Sequence, residues 1–311
     1  MSVSVGVHER VLAACLVIEI AIFAALGSNF LTIENAAEIA RASAEVGLLA
    51  LALTPVILTG GIDLSVGSLL ALSAVVFGVT WREAQWPIWL AAGAAIGTGA
   101  AGGGLNAVLV SRLGIPPLIV TLGTYSLFRG LAEGATAGIR NYSNFPDGFL
   151  FLGQGTLGVV PVQLVVVGLA AIGFWGLVHR LALGRTLQAM GYSAEGARFA
   201  GVPVGQRLAV VYVLSGLSAG VASLLYAARL GQAKADAGTG FELMAITAVV
   251  LGGTSIFGGR GSVAGTVLGL TTLAVLQNGL RLADLPAELA GLFTAGLLLT
   301  ALGISGRDTV T

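Results

Sequence analysis

Long apolar segments follow one another along the chain, and short polar or Gly- and Pro-containing stretches separate them. A helix that crosses a bilayer needs about 20 predominantly apolar residues, within a range of about 17 to 25. Windows of this kind can be placed at ten positions, so the pattern predicts about ten transmembrane helices. Their approximate cores are residues 11–26, 42–58, 68–80, 88–110, 118–135, 162–179, 208–228, 243–256, 263–279 and 286–302.

Two of these windows, 68–80 and 243–256, are short and lie beside clusters of glycine. Short or Gly-interrupted apolar segments indicate discontinuous helices, whose ends and backbone dipoles lie at a substrate site or a packing interface. We therefore predict an all-α integral membrane protein in which short or broken helices surround the Gly-rich segments.

The composition agrees with a membrane location. Hydrophobic residues make up 56% of the 311 residues and charged residues 10%, and the mean hydropathy is +0.94; soluble domains carry about 25% charged residues. The apolar windows run from end to end, so we predict a single transmembrane domain over residues 1–311. The formal net charge is zero and the basic residues form no dense cluster, which excludes nucleic acid as a partner.

The segment 180–207 sets the predicted orientation. It carries the four arginines Arg180, Arg185, Arg198 and Arg207 and the single acid Glu195. Because loops rich in Lys and Arg stay in the cytoplasm, we expect this segment to be a cytoplasmic loop. With ten crossings, both termini then also face the cytoplasm.

Asp63 is a carboxylate within an almost continuous apolar stretch from residue 46 to residue 79. An ionisable residue inside a membrane is a functional-site hypothesis by default, and irregular backbone at that depth must be buried in protein or line a cavity. Three interpretations stay open: a charge in a transport pathway, a cap for a helix that begins near Leu64, and a salt-bridge partner.

A short helix is predicted at the cytoplasmic face over residues 194–200, where Gly201 and Pro203 end it. Such a helix is suited to docking onto a partner, although an ordinary solvated connector gives the same pattern. Within the fifth window, Arg129 and Glu133 are spaced i, i+4, and we expect them to neutralise each other.

Several kinds of chemistry are excluded by the residues present. No Walker A sequence occurs and the only lysine is Lys234, so the chain has no ATP site of its own. His8 and His179 are too few and too far apart for a zinc site, and no nucleophile motif of a hydrolase occurs. We therefore predict a protein that is not an enzyme and that needs no cofactor.

Four sequence motifs follow one another along nearly the whole chain. They are TGGIDLSVG at 59–67, LGIPP at 113–117 with TLGT at 121–124, the segment 184–201, and ELMAITAVVLGGT at 242–254. Together they resemble the permease subunits of ribose-type ABC importers, a family whose ligands include ribose, rhamnose, other monosaccharides and a furanosyl autoinducer.

The resemblance implies a multi-pass protein of the bacterial inner membrane. It implies a second permease copy or homologue, cytoplasmic ATP-binding subunits and an extracytoplasmic sugar-binding protein as partners, besides membrane lipid. The segment from Glu195 to Gly201 resembles the coupling helix that contacts the ATPase, and its residues are Glu195, Gly196, Ala197, Arg198, Phe199, Ala200 and Gly201. Intramembrane polarity suggests the pathway or gate residues Thr59, Asp63, Ser65, Thr121, Thr124 and Glu242.

Residues 138–161 are expected to face the binding protein, which should set most of the ligand specificity. Two alternatives stay open. An ABC permease for branched-chain amino acids shares the permease class, although a charged headgroup should demand more fixed charge along the path. An ion-coupled secondary transporter would need titratable groups on several helices.

Overall fold

The computed structural model describes residues 3–27, 29–284, 292 and 296. Its regular structure is almost entirely helical, in agreement with the predicted class. The helices are α1 (Val3–Leu26), α2 (Ile33–Leu58), α3 (Val66–Arg82), α4 (Ile88–Ser111), α5 (Pro117–Thr136), α6 (Asp147–Gln154), α7 (Val162–Trp175), α8 (Ala182–Tyr192), α9 (Ala194–Phe199), α10 (Val204–Leu230), α11 (Phe241–Leu251) and α12 (Val263–Leu282). A π-helical turn, Gly176–Arg180, extends α7.

Nine of the ten predicted windows each fall on one helix or on α7 with its π-helical turn, and the tenth, 286–302, lies outside the described residues. Among the described helices, five are long and apolar enough to cross a membrane: Ile33–Leu58, Ile88–Ser111, Val162–Arg180, Val204–Leu230 and Val263–Leu282. Helices α3 and α11 are shorter apolar helices, as the pattern predicted.

Two predicted boundaries were wrong for local reasons. Helix α2 begins at Ile33 rather than near residue 42, because the Thr32 side chain accepts a hydrogen bond from the Asn35 amide and caps the helix. Helix α11 ends at Leu251 rather than at 256, because Gly252 and Gly253 follow and Gly253 has a φ of +87°.

Helix α2 lies at the centre of the protein. Every residue from Ala44 to Leu58 is buried, and the helix packs against α7, α10, α11 and α12. A helix that is apolar all round is a buried helix, which is what this segment's sequence dictates. The one charged residue between residues 44 and 58 is Glu45, whose carboxylate accepts a hydrogen bond of 2.7 Å from the Arg229 Nε atom.

Helices α4 and α10 meet through glycines. A Cβ on Gly103 would lie 3.0 Å from the Cα of Gly216, and one on Gly220 would lie 2.8 Å from the Cα of Ile96. No side chain fits between these backbones, so Gly99 and Gly103 of α4 serve packing within the bundle. Gly93 and Gly104, by contrast, have open space beside them.

The connections gather at two ends of the bundle. At the α9 end, α8 and α9 lie with the C-terminus of α2 and the 252–262 turn, where the Gly259 amide donates to the Leu58 carbonyl at 2.9 Å. At the opposite end, strand β1 (Tyr142–Ser143) pairs with β4 (Gln232–Ala233), and the hairpin of β2 (Thr156–Leu157) and β3 (Val160–Pro161) lies nearby in sequence.

Candidate functional site

The candidate site is built on the irregular segment between α2 and α3. Helix α2 ends at Leu58, and Gly60 adopts a φ of +79° that side chains rarely adopt. The chain then stays non-helical until Val66 and is nevertheless buried at Gly61, Asp63 and Ser65. Irregular backbone in a membrane protein must be surrounded by protein or line a cavity, and here it is surrounded by protein.

Asp63 is 1% exposed and accepts three hydrogen bonds. Its Oδ1 atom accepts from the Ser65 amide at 3.0 Å and from the Ser65 hydroxyl at 2.6 Å. Its Oδ2 atom accepts from the Ser215 hydroxyl of α10 at 2.8 Å. None of the ion pairs among the described residues includes Asp63, so the salt-bridge interpretation was wrong.

The capping interpretation needs a correction. Helix α3 begins at Val66, not near Leu64, and Ser65 is its N-cap residue. Asp63 therefore binds the amide of the N-cap residue instead of the amides of the first helical turn. The carboxylate holds the turn that precedes the helix, because the donor it meets lies two residues further along the chain.

A chain of buried hydrogen bonds continues from Asp63 into α4 and α5. The Asn106 Nδ2 atom donates to the Ser65 hydroxyl at 2.8 Å, and the Thr124 hydroxyl donates to the Asn106 Oδ1 atom at 2.8 Å. The Thr121 hydroxyl donates to the Ile62 carbonyl at 3.0 Å. We call this set the polar cluster: Asp63, Ser65, Asn106, Thr121, Thr124 and Ser215.

The sequence predicted four members of the polar cluster and missed two. Asn106 and Ser215 are both fully buried, and each is a small polar residue within a long apolar helix. That intramembrane polarity was the available signal. That signal is weak for serine, because many serines in such helices bond only to their own backbone, as Ser223 does to the Gly220 carbonyl.

Thr59 lies apart from the polar cluster. Its hydroxyl donates to the Val56 carbonyl of its own helix at 2.7 Å. It lines a pocket of about 250 Å³ at the α9 end, together with Gly60, Gly61, Val110, Gly114, Ile115, Pro116, Pro117, Met190, Ala194, Val204 and Leu208. Of the predicted pathway residues, four therefore lie in the buried cluster and Thr59 lines the open pocket.

Glu242 also lies outside the polar cluster. It occupies the first turn of α11 and is 6% exposed, and its carboxylate lies directly against Gly67 in the first turn of α3. A side chain on Gly67 would occupy the position of this carboxylate. The Oε2 atom has no hydrogen-bond partner within the described part of the chain.

Arg129 does not pair with Glu133, so the predicted i, i+4 pair was wrong. The Arg129 Nη1 atom donates to the carbonyl oxygens of Ala235 and Ala237, and Glu133 is exposed. Residues 231–240, between α10 and α11, are mostly irregular and leave carbonyls without helical partners. A guanidinium supplies several donors at once, whereas the pair with Glu133 would have left these carbonyls unpaired.

The predicted cytoplasmic helix forms as α9. The Ser193 hydroxyl accepts from the Gly196 amide at 2.9 Å and caps its start, and Gly201 follows its end with a φ of +82°. Ala197 is buried against the bundle, whereas Phe199 is 86% exposed. The other members of the predicted coupling set are all exposed: Glu195, Gly196, Arg198, Ala200 and Gly201.

A glycine contact joins the base of α9 to the candidate site. Gly191, at the end of α8, lies so close to the Leu58 carbonyl and the Gly259 amide that a Cβ would collide with both. Gly258 lies equally close to the Gly60 amide, 2.7 Å from an added Cβ. The two Gly-rich turns and α8 therefore form one rigid junction, which no side chain separates.

The site offers hydroxyls, one amide and one carboxylate, and no group that performs covalent chemistry. Within residues 3–27 and 29–284 there is no group of three or more His, Cys, Asp or Glu side chains that could hold a metal ion.

At the opposite end of the bundle, the Tyr142 hydroxyl donates to the Glu83 Oε1 atom at 2.8 Å. Burial and this hydrogen bond raise the pKa of Tyr142.

A helical bundle with a buried polar cluster at a broken helix is the arrangement of a membrane transport protein. The family described as "Branched-chain amino acid transport system / permease component" matches residues 35–302, and the chain belongs to this family.

Curated relatives are similar over 96% of this chain and 91% of their own length. The Autoinducer 2 import system permease protein LsrD of Klebsiella pneumoniae subsp. pneumoniae is 37% identical. The proteins of the same name from Yersinia pseudotuberculosis and Yersinia enterocolitica are 36% and 37% identical. No solved structure matches the chain.

These similarities confirm the resemblance to permease subunits of sugar-type ABC importers. The chain is a transport subunit and not an enzyme, and it is a multi-pass protein of the bacterial inner membrane.

Proposed function

We propose that this chain forms the transmembrane path for a monosaccharide or a related furanosyl ligand, which a binding protein delivers. The observation that carries this proposal is the similarity of 36–37% along almost the whole chain to permeases that are named for import of autoinducer 2.

The proposed topology has ten transmembrane helices in a single domain over residues 1–311, with the α9 end in the cytoplasm. The four arginines of 180–207 support this orientation. The described helices supply nine of the crossings, with α3 and α11 as short ones, and the apolar window 286–302 is the proposed tenth. The 180–207 segment is then a cytoplasmic coupling loop.

We propose that α9 docks onto a cytoplasmic ATP-binding subunit. Ala197 fixes the helix to the bundle, and Phe199 stands out from it with 86% of its surface exposed. A large exposed aromatic residue at the end of a rigid helix is a typical anchor in a protein interface. Glu195 and Arg198 add a charge of each sign beside it.

The extracytoplasmic binding protein is proposed to dock at the opposite end, on residues 138–161. Ile139 and Val159 are exposed there, at 84% and 71%. The Arg140 guanidinium pairs with Glu83 at 3.2 Å, which ties this segment to the end of α3. A second permease copy or a homologous subunit would complete the path, and the open faces beside Gly93 and Gly104 of α4 leave room for close approach of another helix.

The relatives' names favour the sugar-type ABC permease over the branched-chain amino acid permease. The family description names branched-chain amino acids, but it covers permeases as a class, whereas the relatives match 96% of this chain and are named for autoinducer 2. Ion-coupled transport has less support. Two of the carboxylates that it could use already have partners, because Asp63 accepts three hydrogen bonds from hydroxyl and amide donors and Glu45 accepts one from Arg229.

Uptake by the reconstituted complex tests the proposal. The chain would be expressed with a candidate ATPase and a candidate binding protein from the same organism, placed in proteoliposomes and supplied with labelled autoinducer 2, ribose, rhamnose or leucine. We expect ATP-dependent uptake of a furanosyl or sugar ligand and none of leucine. Uptake of leucine, or uptake driven by an ion gradient without ATP, would contradict the proposal.

A further inference from the structure

The 252–262 turn, between α11 and α12, leaves an aromatic side chain outside the bundle. Phe257 lies near the middle of the turn and is 57% exposed, whereas Thr254, Gly258 and Gly259 of the same turn are buried. The backbone of Phe257 lies against Gly60, where an added Cβ would be 3.3 Å from the Phe257 carbonyl oxygen. The turn therefore rests on the bundle through its backbone, and the Phe257 ring stays uncovered.

Hydrogen bonds within the turn fix its shape. The Ser255 amide donates to the Arg260 carbonyl at 2.9 Å, and the Gly258 amide donates to the Ser255 carbonyl at 3.0 Å. Gly258 and Gly259 have φ angles of +89° and +79°, which side chains rarely adopt. Phe257 is thus carried by a closed turn whose backbone has a defined conformation.

Neighbouring helices hold the turn from two sides. The Gly259 amide donates to the Leu58 carbonyl at the end of α2, at 2.9 Å. At the start of α12, the Ser262 hydroxyl donates to the Glu9 carboxylate of α1. A side chain on a rigid support loses little freedom on binding, so Phe257 is preorganised for contact with a partner.

The turn is joined directly to the segment that leads into α9. The Tyr192 ring at the end of α8 lies against Gly259, 3.0 Å from an added Cβ, and the Tyr192 hydroxyl accepts a hydrogen bond from the Arg260 Nε atom at 3.3 Å. Tyr192 is itself exposed and lies two residues before the first residue of α9. Phe257, Tyr192 and Phe199 are thus three exposed aromatic residues on connected elements at one end of the bundle.

The chemistry of this surface fits a protein partner. Exposed apolar surface that extends beyond a single residue marks an interaction site, and aromatic residues and arginine are enriched in protein interfaces. Arg198 and Arg260 take part in none of the ion pairs among the described residues. Both guanidinium groups can therefore meet acidic groups of a partner.

We propose that the 252–262 turn is a second contact for the ATP-binding subunit that docks on α9, with Phe257 in an apolar pocket of that subunit and Arg260 beside an acidic group. The inference rests on the proposed function, which places this end of the bundle in the cytoplasm and α9 on the ATPase. The two contacts lead to different parts of the bundle. Helix α9 precedes α10, whereas the turn is bonded to the end of α2, where the irregular segment that contains Asp63 begins.

Phe257→Ala tests the contact, with Leu157→Ala as the matched control. Leu157 is 56% exposed and lies in β2 at the opposite end. The ATPase used is the one that supports ATP-dependent uptake with this chain. We expect Phe257→Ala to leave the melting temperature of the purified permease unchanged and to weaken ATPase association about tenfold, as the loss of an aromatic anchor does. Leu157→Ala should match the wild type in both measurements, and association of Phe257→Ala within twofold of the wild type would overturn the inference.

A cysteine at the same position identifies what covers the turn. In a Cys15→Ser background, Phe257→Cys should react with a soluble thiol reagent in proteoliposomes that lack the ATPase, and bound ATPase should protect it. A photoreactive crosslinker attached to this cysteine should link the permease to the ATPase. Failure to react without the ATPase would place the side chain in lipid, and a crosslink to a second permease copy would place it in the permease dimer. Either result would overturn the inference.

Comparison with Phe199→Ala separates this inference from the proposed function. Weaker ATPase association of Phe199→Ala, with normal association of Phe257→Ala, would remove the turn from the interface and leave the α9 assignment in place. Normal association of both variants would remove both contacts. Absence of ATP-driven uptake with every candidate ATPase would overturn the proposed function and this inference together.

Discussion

At the scale of single residues, the Asp63 carboxylate decides the local structure. Its three hydrogen bonds tie the turn before α3 to helix α10, and through Ser65 they reach Asn106 of α4. A buried carboxylate is tolerated here because three hydrogen bonds offset part of the cost of burying it. Holding the turn and acting in the path are thus two roles that one side chain can combine.

Substitutions of Asp63 separate these roles. Asp63→Asn keeps one oxygen that can accept from the Ser65 amide but loses the negative charge. A hydrogen bond to a charged group contributes about 1.5–3 kcal/mol to stability, and part of this contribution is lost. Asp63→Ala loses all three bonds. We expect Asp63→Asn to insert and assemble yet transport poorly, and Asp63→Ala to lose folded protein.

Folded yield and uptake must be measured together for both Asp63 variants. Wild-type uptake by Asp63→Asn at an equal membrane level would end the hypothesis that the charge serves transport and would leave only the structural role.

At the scale of helices, packing distinguishes glycines that look alike in the sequence. Gly103 and Gly104 are neighbours on α4, but only Gly103 faces the backbone of α10. Gly103→Ala should therefore lower stability by about 1–3 kcal/mol through overpacking. Gly104→Ala is the matched control, because nothing lies within 4 Å of its added Cβ.

Thermal unfolding of the purified protein in detergent checks this pair of glycine substitutions. We expect a lower melting temperature for Gly103→Ala and an unchanged or slightly raised one for Gly104→Ala, since alanine favours helix. Equal melting temperatures would show that α4 and α10 do not meet as described.

The exposed end of α9 gives a second prediction at this scale. Phe199→Ala removes an aromatic side chain that contributes little to the fold because it is 86% exposed. We expect normal insertion and a loss of ATPase association of at least tenfold, measured by copurification at several ATPase concentrations. Ile139→Ala, at the opposite end and 84% exposed, should leave the association unchanged.

The assignment of α9 would fail if Phe199→Ala bound the ATPase as tightly as the wild type. Two further substitutions test the same helix. Glu195→Arg changes an exposed residue, and Ala197→Trp changes the residue that is buried against the bundle. Both should impair assembly or substrate-stimulated ATP turnover, and normal transport by both would contradict the coupling role.

At the scale of the whole molecule, the two ends of the bundle should lie on opposite sides of the membrane. Ser193 precedes α9, and Ser143 lies in β1 at the opposite end; both are exposed. In a Cys15→Ser background, an impermeant thiol reagent should label Ser143→Cys in intact spheroplasts. It should label Ser193→Cys only after the membrane is opened, because arginine-rich loops such as the proposed 180–207 loop are retained in the cytoplasm.

Labelling of Ser193→Cys in intact spheroplasts would reverse the topology. Helices α6, α7 and α8 lie between these two positions, and only α7 with its π-helical turn is long enough to span the membrane. One crossing therefore separates the two cysteines. Labelling of both from one side would mean an even number of crossings and would contradict this arrangement.

The amino-acid sequence by itself determined the membrane class, the positions of nine helices and the family. These follow from local properties, because an apolar run of about 20 residues can satisfy its backbone in a bilayer only as a helix. Gly201 likewise follows the end of α9 close to where the sequence predicted that end. The same reasoning marked Asp63, Ser65, Thr121 and Thr124 as polar residues in apolar surroundings.

Only the tertiary structure decided which polar groups meet. Asn106 donates to Ser65 across 41 residues of sequence, Ser215 donates to Asp63 across 152 residues, and no local pattern encodes such contacts. Arg129 binds the carbonyls of a segment more than 100 residues away rather than its helical neighbour Glu133. Buried polar groups take whichever partners packing brings within hydrogen-bond distance, and that packing is a property of the assembled helices.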